Sequence, residues 1–244
     1  MDRAIYTRMA EQEQSHWWFT GRRQIIAALI DREVHLPEGA RILEAGCGTG
    51  GNLAMLGKLG KLEGFEFDPE ARRLAERQGF PISFGALPHE IAEPDNAYDL
   101  VGLFDVLEHI EDDVGSLHSL GQKLRSDGTL LITVPAMPWL WSSHDETHHH
   151  FRRYTKNSLT RAIRAAGLEP IKVGYFNTLL FPLAIAQRYL NKWTKTSAPT
   201  DAMPSPPVNH MLGSLFRLER FWAGRIPMPF GLSLFAVVKS AKRH

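Results

Sequence analysis

No disulfide can brace this chain, because a single cysteine, Cys47, stands among its 244 residues. That scarcity fits a reducing compartment, and the expectation is a cytoplasmic protein. Long hydrophobic runs are missing as well: no stretch of 18 or more apolar residues occurs, which excludes a simple transmembrane helix. The first residues, MDRAIYTRMAEQEQSHWW, lack the basic-then-apolar layout of a secretory leader. An excess of one charge is absent too, since 28 Lys+Arg against 27 Asp+Glu leave a net charge of +1. No nucleic-acid partner is therefore expected, and any anion recognition must come from local clusters. There are no internal repeats. What is present, 43% hydrophobic and 23% charged residues, suits one large domain or a domain with an elaborate insertion.

From residue 41 onward, short apolar runs alternate with amphipathic stretches, the pattern of βα units on a largely parallel sheet. The runs predict strands at 41–46, 61–67, 81–87, 98–106, 129–136, 170–176 and 232–240, with helices between them over 52–59, 69–78, 113–125 and 157–167. Ser126-Asp127-Gly128 reads as the turn feeding the fifth strand. A helical segment over roughly 4–32 precedes the first strand. Residues 177–230 break the alternation. An apolar stretch interrupted by Pro182 and Arg188 leads into the Pro- and Ser-rich TKTSAPTDAMPSPPVNH, and Met211, Leu212, Leu215, Leu218, Phe221 and Trp222 then recur at helical spacing. The expected organisation is an N-terminal helical cap (1–40), a sheet domain (41–176 and 231–244) and an inserted helical, apolar lobe (177–230).

The first strand ends in Glu44-Ala45-Gly46-Cys47-Gly48-Thr49-Gly50-Gly51, and a helix follows. Glycines there permit a tight turn and let a ligand approach backbone N–H groups at the helix start. Gly46, Gly48 and Gly51 fit a dinucleotide fingerprint, with Glu66 about twenty residues further on for the ribose. Gly46, Gly48 and Gly50 equally fit the turn of an S-adenosylmethionine (SAM) site, and Glu66 serves either cofactor. Glu44 discriminates between them. A carboxylate at the mouth of the turn repels a pyrophosphate and suits the ammonium of SAM; unit charges 4 Å apart interact by about 4 kcal/mol at an effective dielectric near 20. A P-loop is excluded, because Asn52 and Leu59 flank Gly57-Lys58 where Gly and Ser or Thr are required.

ILEAGCGTGGN, GFEFDPEARRLA, YDLVGLFDVLEHIEDD and LRSDGTLLITVPA together resemble the class I SAM-dependent methyltransferases, in the branch that carries an LEH turn after the fourth strand. The likeness covers roughly 40–176 and 232–240. HWWFTGRR and FRRYT are similar to a subgroup linked to cell-envelope or glycan metabolism. The resemblance implies a Rossmann-like, doubly wound sheet of seven strands, the last antiparallel, with SAM as methyl donor. It implies that Gly46, Cys47, Gly48 and Gly50 approach the methionine end and that Glu44 meets its ammonium. Glu66 takes the ribose hydroxyls, and Phe67, Ala86, Leu87 and Phe104 surround the adenine and sulfonium. No acid stands at Ala86 or Leu87, where the family often has one, so backbone groups are expected to serve the adenine there.

Methyl transfer from a sulfonium is an in-line displacement, so the enzyme mainly aligns the acceptor and excludes water; an oxygen acceptor also needs a base. His109 is the first candidate for that base or for positioning the acceptor, and Asp105 the second; a purely structural LEH turn is the alternative. SHDETHHHFRRYT (143–155) poses three readings. His144 and His148 offer a metal pair, but the stretch is not HExxH and Trp139 and Trp141 upstream suggest an irregular loop, so no metal is expected. His150, Arg152, Arg153 and Tyr154 offer an anion cradle, or a polar lid whose arginines pair with acids. Trp17 and Trp18, with Arg22 and Arg23 at the rim, either pack in a core or line an acceptor pocket. The expected acceptor is a small or lipid-linked molecule, with peripheral membrane contact through 177–230 as one reading and a packed lobe as the other. A nicotinamide-dependent oxidoreductase, or a SAM-binding partner protein with little activity of its own, remains the alternative.

Overall fold

A computed structural model of the chain describes residues 10–194 and 203–241. Eight strands form one sheet: β1 (Arg41–Ala45), β2 (Lys61–Glu66), β3 (Ile82–Ala86), β4 (Glu90–Ile91), β5 (Tyr98–Phe104), β6 (Leu124–Pro135), β7 (Leu168–Phe176) and β8 (Ser233–Ser240). Their order is β4-β3-β2-β1-β5-β6-β8-β7. Pairing is parallel from β3 through β6, and β8 runs antiparallel between β6 and β7. This is the expected Rossmann-like sheet of seven strands, extended by the two-residue edge strand β4, which pairs antiparallel with β3.

Side-chain alternation sends successive residues of each strand to opposite faces. Leu43, Leu130, Ile132, Leu234 and Ala236 enter one core, against α4 (Asp113–Lys123) and α6 (Lys156–Ala165). Ile42, Leu131, Phe235 and Val237 enter the other, against α1 (Trp17–Glu33) and α2 (Leu53–Leu56). α3 (Pro69–Glu76) starts on Asp68, whose carboxylate accepts from the N–H of Glu70 and Ala71, and Pro69 stands where no N–H is needed.

Between β7 and β8 the chain forms α7 (Phe181–Thr194) and α8 (Pro206–Leu218), followed by a short 3₁₀ turn at Glu219–Phe221. Glu219 is 1% exposed, and its Oε1 accepts from the N–H of Thr178 and Leu179, which ties the start of this segment to its end. α8 packs on α1: the Trp17 N–H donates to Asn209 Oδ1 at 2.8 Å, and Phe216, fully buried, stacks on Trp18.

Several local expectations are corrected. The N-terminal helix is broken over 13–16, with the His16 side chain capping α1; residues 4–9 lie outside the described residues. Strand β6 begins at Leu124, and Ser126-Asp127-Gly128 lies inside it, taken up by a register shift against β5. Of the expected Pro-rich loop, 195–202 lies outside the described residues, and Pro206–His210 belongs to α8 because proline is tolerated in a first helical turn. Much of the apolar spacing read over 211–222 faces outward: Met211 of α8 is 60% exposed, and Phe221 of the 3₁₀ turn 55%. Residues 143–147 form a helix, α5 (Ser143–Thr147), with a capping box between Ser142 and Asp145.

Candidate functional site

The carboxyl ends of β1, β2, β3 and β5, with α1 above them, enclose a cavity of about 880 Å³. A parallel sheet leaves this crevice where neighbouring crossovers diverge. Gly46 and Gly48 both have positive φ, at +64° and +57°. A Cβ on Gly46 would sit 2.9 Å from Val106, whereas one on Gly48 would meet nothing within 4 Å. The first glycine thus allows the turn to close against the β5 loop, and the second leaves backbone open.

Glu44 is 2% exposed. Its Oε1 accepts from Asn52 Nδ2 at 2.7 Å, while Oε2 is buried without a partner. Burial pushes this carboxyl up to about 8, against the opposing pull of the Asn52 hydrogen bond. A cation delivered to Oε2 would relieve that cost, so the donor set fits the ammonium end of SAM. Glu66, also buried, accepts from the Gly48 N–H at 2.8 Å and the Asp68 N–H at 2.9 Å, and burial raises its pKa. Its remaining lone pairs are available to hydroxyls.

Cys47, Phe104, Ala86 and Leu87 line the same cavity, as does Phe67, which is 65% exposed beside Phe84. Gly50 does not line it; its N–H is spent on Cys47 O. Burial raises the Cys47 thiol far above its usual range, so it is no nucleophile.

Asp105 and His109 both reach the cavity. Asp105 is ion-paired with Arg22 of α1. His109 is held neutral, its pKa lowered to about 3 by burial and by the neighbouring His150 and His148. A neutral imidazole of such low basicity is a poor proton acceptor.

The 143–155 stretch is a knot around Asp145, which is fully buried. Asp145 accepts from Arg153 Nε at 2.6 Å and from the Ser142 N–H at 2.9 Å, and its Oδ1 lies 3.0 Å from His150 Nδ1. The Phe151 N–H donates to Glu108 O at 2.7 Å, docking the stretch on the LEH turn. His150 and Arg153 therefore line the cavity, with Trp17, Trp18, Arg22 and Arg23 opposite. Arg152 and Tyr154 do not line it: both engage Asp113, at 2.9 Å each.

Two residues that sequence reasoning missed also line the cavity. Glu13, 7% exposed, accepts from Thr49 Oγ1 at 2.6 Å, beside the glycine turn. Arg188 reaches in from α7, its Nη1 buried without a partner and its pKa lowered to about 10 by burial and by Arg153. Arg188 was visible in sequence only as a charge interrupting an apolar run.

Comparison with known proteins shows the family and the fold. A family model described as "Methyltransferase domain" matches residues 18–173. The chain is similar to a ubiquinone biosynthesis O-methyltransferase of Cereibacter sphaeroides (strain ATCC 17025 / ATH 2.4.3), 25% identical over 190 residues, covering 68% of this chain and 77% of that protein. Among solved structures it is similar to a methyltransferase in complex with the Haloferax volcanii Trm112 methyltransferase activator, with TM-score 0.64, 19% identity, and 99% and 96% of the two chains covered. It is also similar to Haemonchus contortus phosphoethanolamine N-methyltransferase 2 in complex with S-adenosyl-L-methionine, with TM-score 0.59, 17% identity, and 88% and 52% covered.

Proposed function

The chain belongs to the methyltransferase domain family as a SAM-dependent methyltransferase, and we propose that it methylates a small-molecule acceptor carrying an acidic group. One observation carries this reading. Among the buried polar atoms without a hydrogen-bond partner in the cavity lining are two of opposite charge character, Glu44 Oε2 on the sheet and Arg188 Nη1 on α7. The first suits the SAM ammonium and the second an anion on the acceptor, so donor and acceptor each find a group of opposite charge. In this reading Gly46, Gly48 and Gly50 shape the turn around the methionine end. Glu66 holds the ribose, and Phe67, Ala86 and Leu87 flank the adenine. Trp17, Trp18 and Phe104 exclude water, and Arg22 and Asp105 fix α1 to the end of β5. α1, from the N-terminal cap, and α7, from the 177–230 insertion, cover the cavity of the SAM-binding sheet domain.

The transferred methyl goes to oxygen in this account, in keeping with the O-methyltransferase relative. A second reading, a lipid-linked acceptor at a membrane face, is favoured by one observation: Leu183, Leu190, Val208, Met211, Leu218 and Phe221 of the 177–230 segment are all exposed. No described helix is long and apolar enough to cross a membrane, so that contact is peripheral.

The test supplies methyl-labelled SAM and a bacterial extract to the wild type and to Arg188→Ala. Labelled product retained on an anion exchanger, and reduced about tenfold or more in Arg188→Ala as expected for a lost charge-assisted hydrogen bond, supports the reading. Label confined to neutral or cationic products contradicts it. Label in the organic phase favours the lipid-linked acceptor.

A further inference from the structure

On the β7 side of the cavity stands a polar residue that neither the glycine turn nor the arginines account for. Asn177 directly follows β7, is 1% exposed, and lines the cavity. Its Oδ1 is buried without a hydrogen-bond partner among the described residues. We propose that Asn177 binds a non-reacting hydroxyl of the methyl acceptor and so selects hydroxylated acceptors over their deoxy counterparts.

The fold holds this side chain in place through its backbone. Asn177 has φ +58°, in the left-handed region that few residues other than glycine adopt. Its carbonyl accepts from the Leu232 N–H at 3.2 Å. The next two N–H groups, of Thr178 and Leu179, donate to Glu219 Oε1 at 2.7 and 2.8 Å. Thr178 Oγ1 also donates to Phe230 O at 2.8 Å. The loop is thus tied both to the start of β8 and to the end of the 177–230 segment. Asparagine in this conformation usually bonds nearby backbone, yet Oδ1 makes no such bond here. Glycine would meet the backbone requirement without burying an amide, so the amide itself is what asparagine adds.

Sheet order sets this residue apart from the cofactor end. β5, β6 and β8 lie between β7 and β1, the strand that carries Glu44. Steps of about 4.8 Å per strand put roughly 19 Å between β1 and β7. Ser233 is the register partner of both Pro135 and Phe176, so the ends of β6, β8 and β7 meet beside Asn177. Pro135 and Ser233 line the cavity there, and α7 adds Ala184, Gln187 and Arg188 to the lining. With SAM on β1 and β2, Asn177 meets the acceptor, at a part remote from the atom that is methylated.

A hydroxyl both donates and accepts, so it satisfies the amide whichever end of the amide faces it. A deoxy acceptor leaves the amide buried and unpaired, which is how one such contact discriminates between substrates. The role rests on the methyl-transfer reading above, but not on the acidic group assigned to Arg188.

The test gives the full chain methyl-labelled SAM and a bacterial extract, then treats the labelled products with acetic anhydride, which esterifies free hydroxyls. Asn177→Gly keeps the backbone conformation and removes the amide, whereas Asn177→Asp tolerates the same φ and keeps an oxygen for the hydroxyl. The labelled product of the wild type should be esterified. In Asn177→Gly its formation at limiting extract should fall about tenfold, the size of one neutral hydrogen bond, and recover as extract is raised. Transfer by Asn177→Asp should fall between the two, and S-adenosylhomocysteine affinity should match the wild type in both variants. A wild-type product without a free hydroxyl, or transfer untouched by Asn177→Gly, overturns the proposal. Loss of S-adenosylhomocysteine binding in Asn177→Gly overturns it as well, by making Asn177 a structural residue. An esterified product that an anion exchanger does not retain, and that falls in Asn177→Gly, keeps the hydroxyl site and removes the acidic-group reading.

Discussion

Trp18 of α1 stacks on Phe216 of α8 with ring centroids 5.3 Å apart and planes 6° from parallel. Trp17 meets the same phenyl ring edge-on at 5.8 Å. The first long helix and the last one of the described residues are thereby clamped together, and α1 carries Trp17, Trp18, Arg22 and Arg23 into the cavity lining.

That clamp depends on Gly21, where a Cβ would lie 2.5 Å from Phe216 Cδ1. Gly21→Ala should destabilise the chain by about 1–3 kcal/mol through overpacking. Phe216→Ala should cost about 3–5 kcal/mol by leaving a cavity. Urea denaturation measures both, and the double variant should lose less than the sum, because the added methyl then has room. Strict additivity would mean that the two residues do not press on one another.

Asp145 anchors the 143–155 stretch, with Arg153 and His150 on its Oδ1. Removing one partner of a buried ion pair strands the other. Asp145→Ala should therefore cost about 3–5 kcal/mol, measurable as a large fall in Tm. A change below about 1 kcal/mol would show that the pair is solvated in solution.

Arg152, Arg153 and Arg188 should separate by function. Arg152 pairs with Asp113 outside the cavity, at 2.9 Å. Arg152→Ala should leave kcat and the acceptor KM within about twofold of wild type, as expected for a partly exposed pair. Arg188→Ala should raise the acceptor KM about tenfold or more with SAM binding unchanged. Arg153→Ala should act through stability, since its partner is the buried Asp145. Steady-state kinetics with any acceptor found by labelling checks all three.

Much of this was legible before the structure. Strand positions followed from runs such as Arg41–Ala45 and Ser233–Ser240, because alternation and burial are properties of neighbours in sequence. The glycine turn was equally local: Glu44, Gly46 and Gly48 stand within five residues and need no tertiary information. Other parts required the fold. Glu13 reaches the cavity from the break that precedes α1 and Arg188 from α7, and nothing in their own sequence surroundings distinguishes them. The convergence of His150 on Glu108 and His109 depends on β5 and β6 lying side by side. Spacing within 143–155 sets His144 and His148 four residues apart, and their rings do meet, with centroids 4.3 Å apart. The α8 surface stayed open for a related reason: helical spacing finds an apolar face without saying what covers it.

In the absence of ligand, burial of Glu44 makes the stability of the chain depend on pH. Its carboxyl is raised to about 8 in the folded chain from the ordinary value of 4.5. Between those values the folded state keeps a proton that the unfolded state has lost, so stability from this group is full below pH 4.5 and falls as pH rises towards 8. Glu44→Gln keeps the acceptor for Asn52 and removes the titration. It should therefore gain stability over wild type as pH rises, on the order of a few kcal/mol at pH 8 and nothing below pH 4.5. Thermal denaturation across that range shows the crossover.

The same group supplies the most direct measurement. Calorimetric titration with S-adenosylhomocysteine at pH 6.5, in buffers of different ionisation enthalpy, reads both affinity and protons exchanged. The ammonium of the ligand should draw Glu44 into its charged form and release close to one proton per site. Glu44→Gln should bind at least tenfold more weakly with no release, and NADH should not bind wild type. Tight binding without proton release, or binding untouched by Glu44→Gln, would contradict the placement of the cofactor's ammonium on Glu44. NADH binding in place of S-adenosylhomocysteine would overturn the account as a whole.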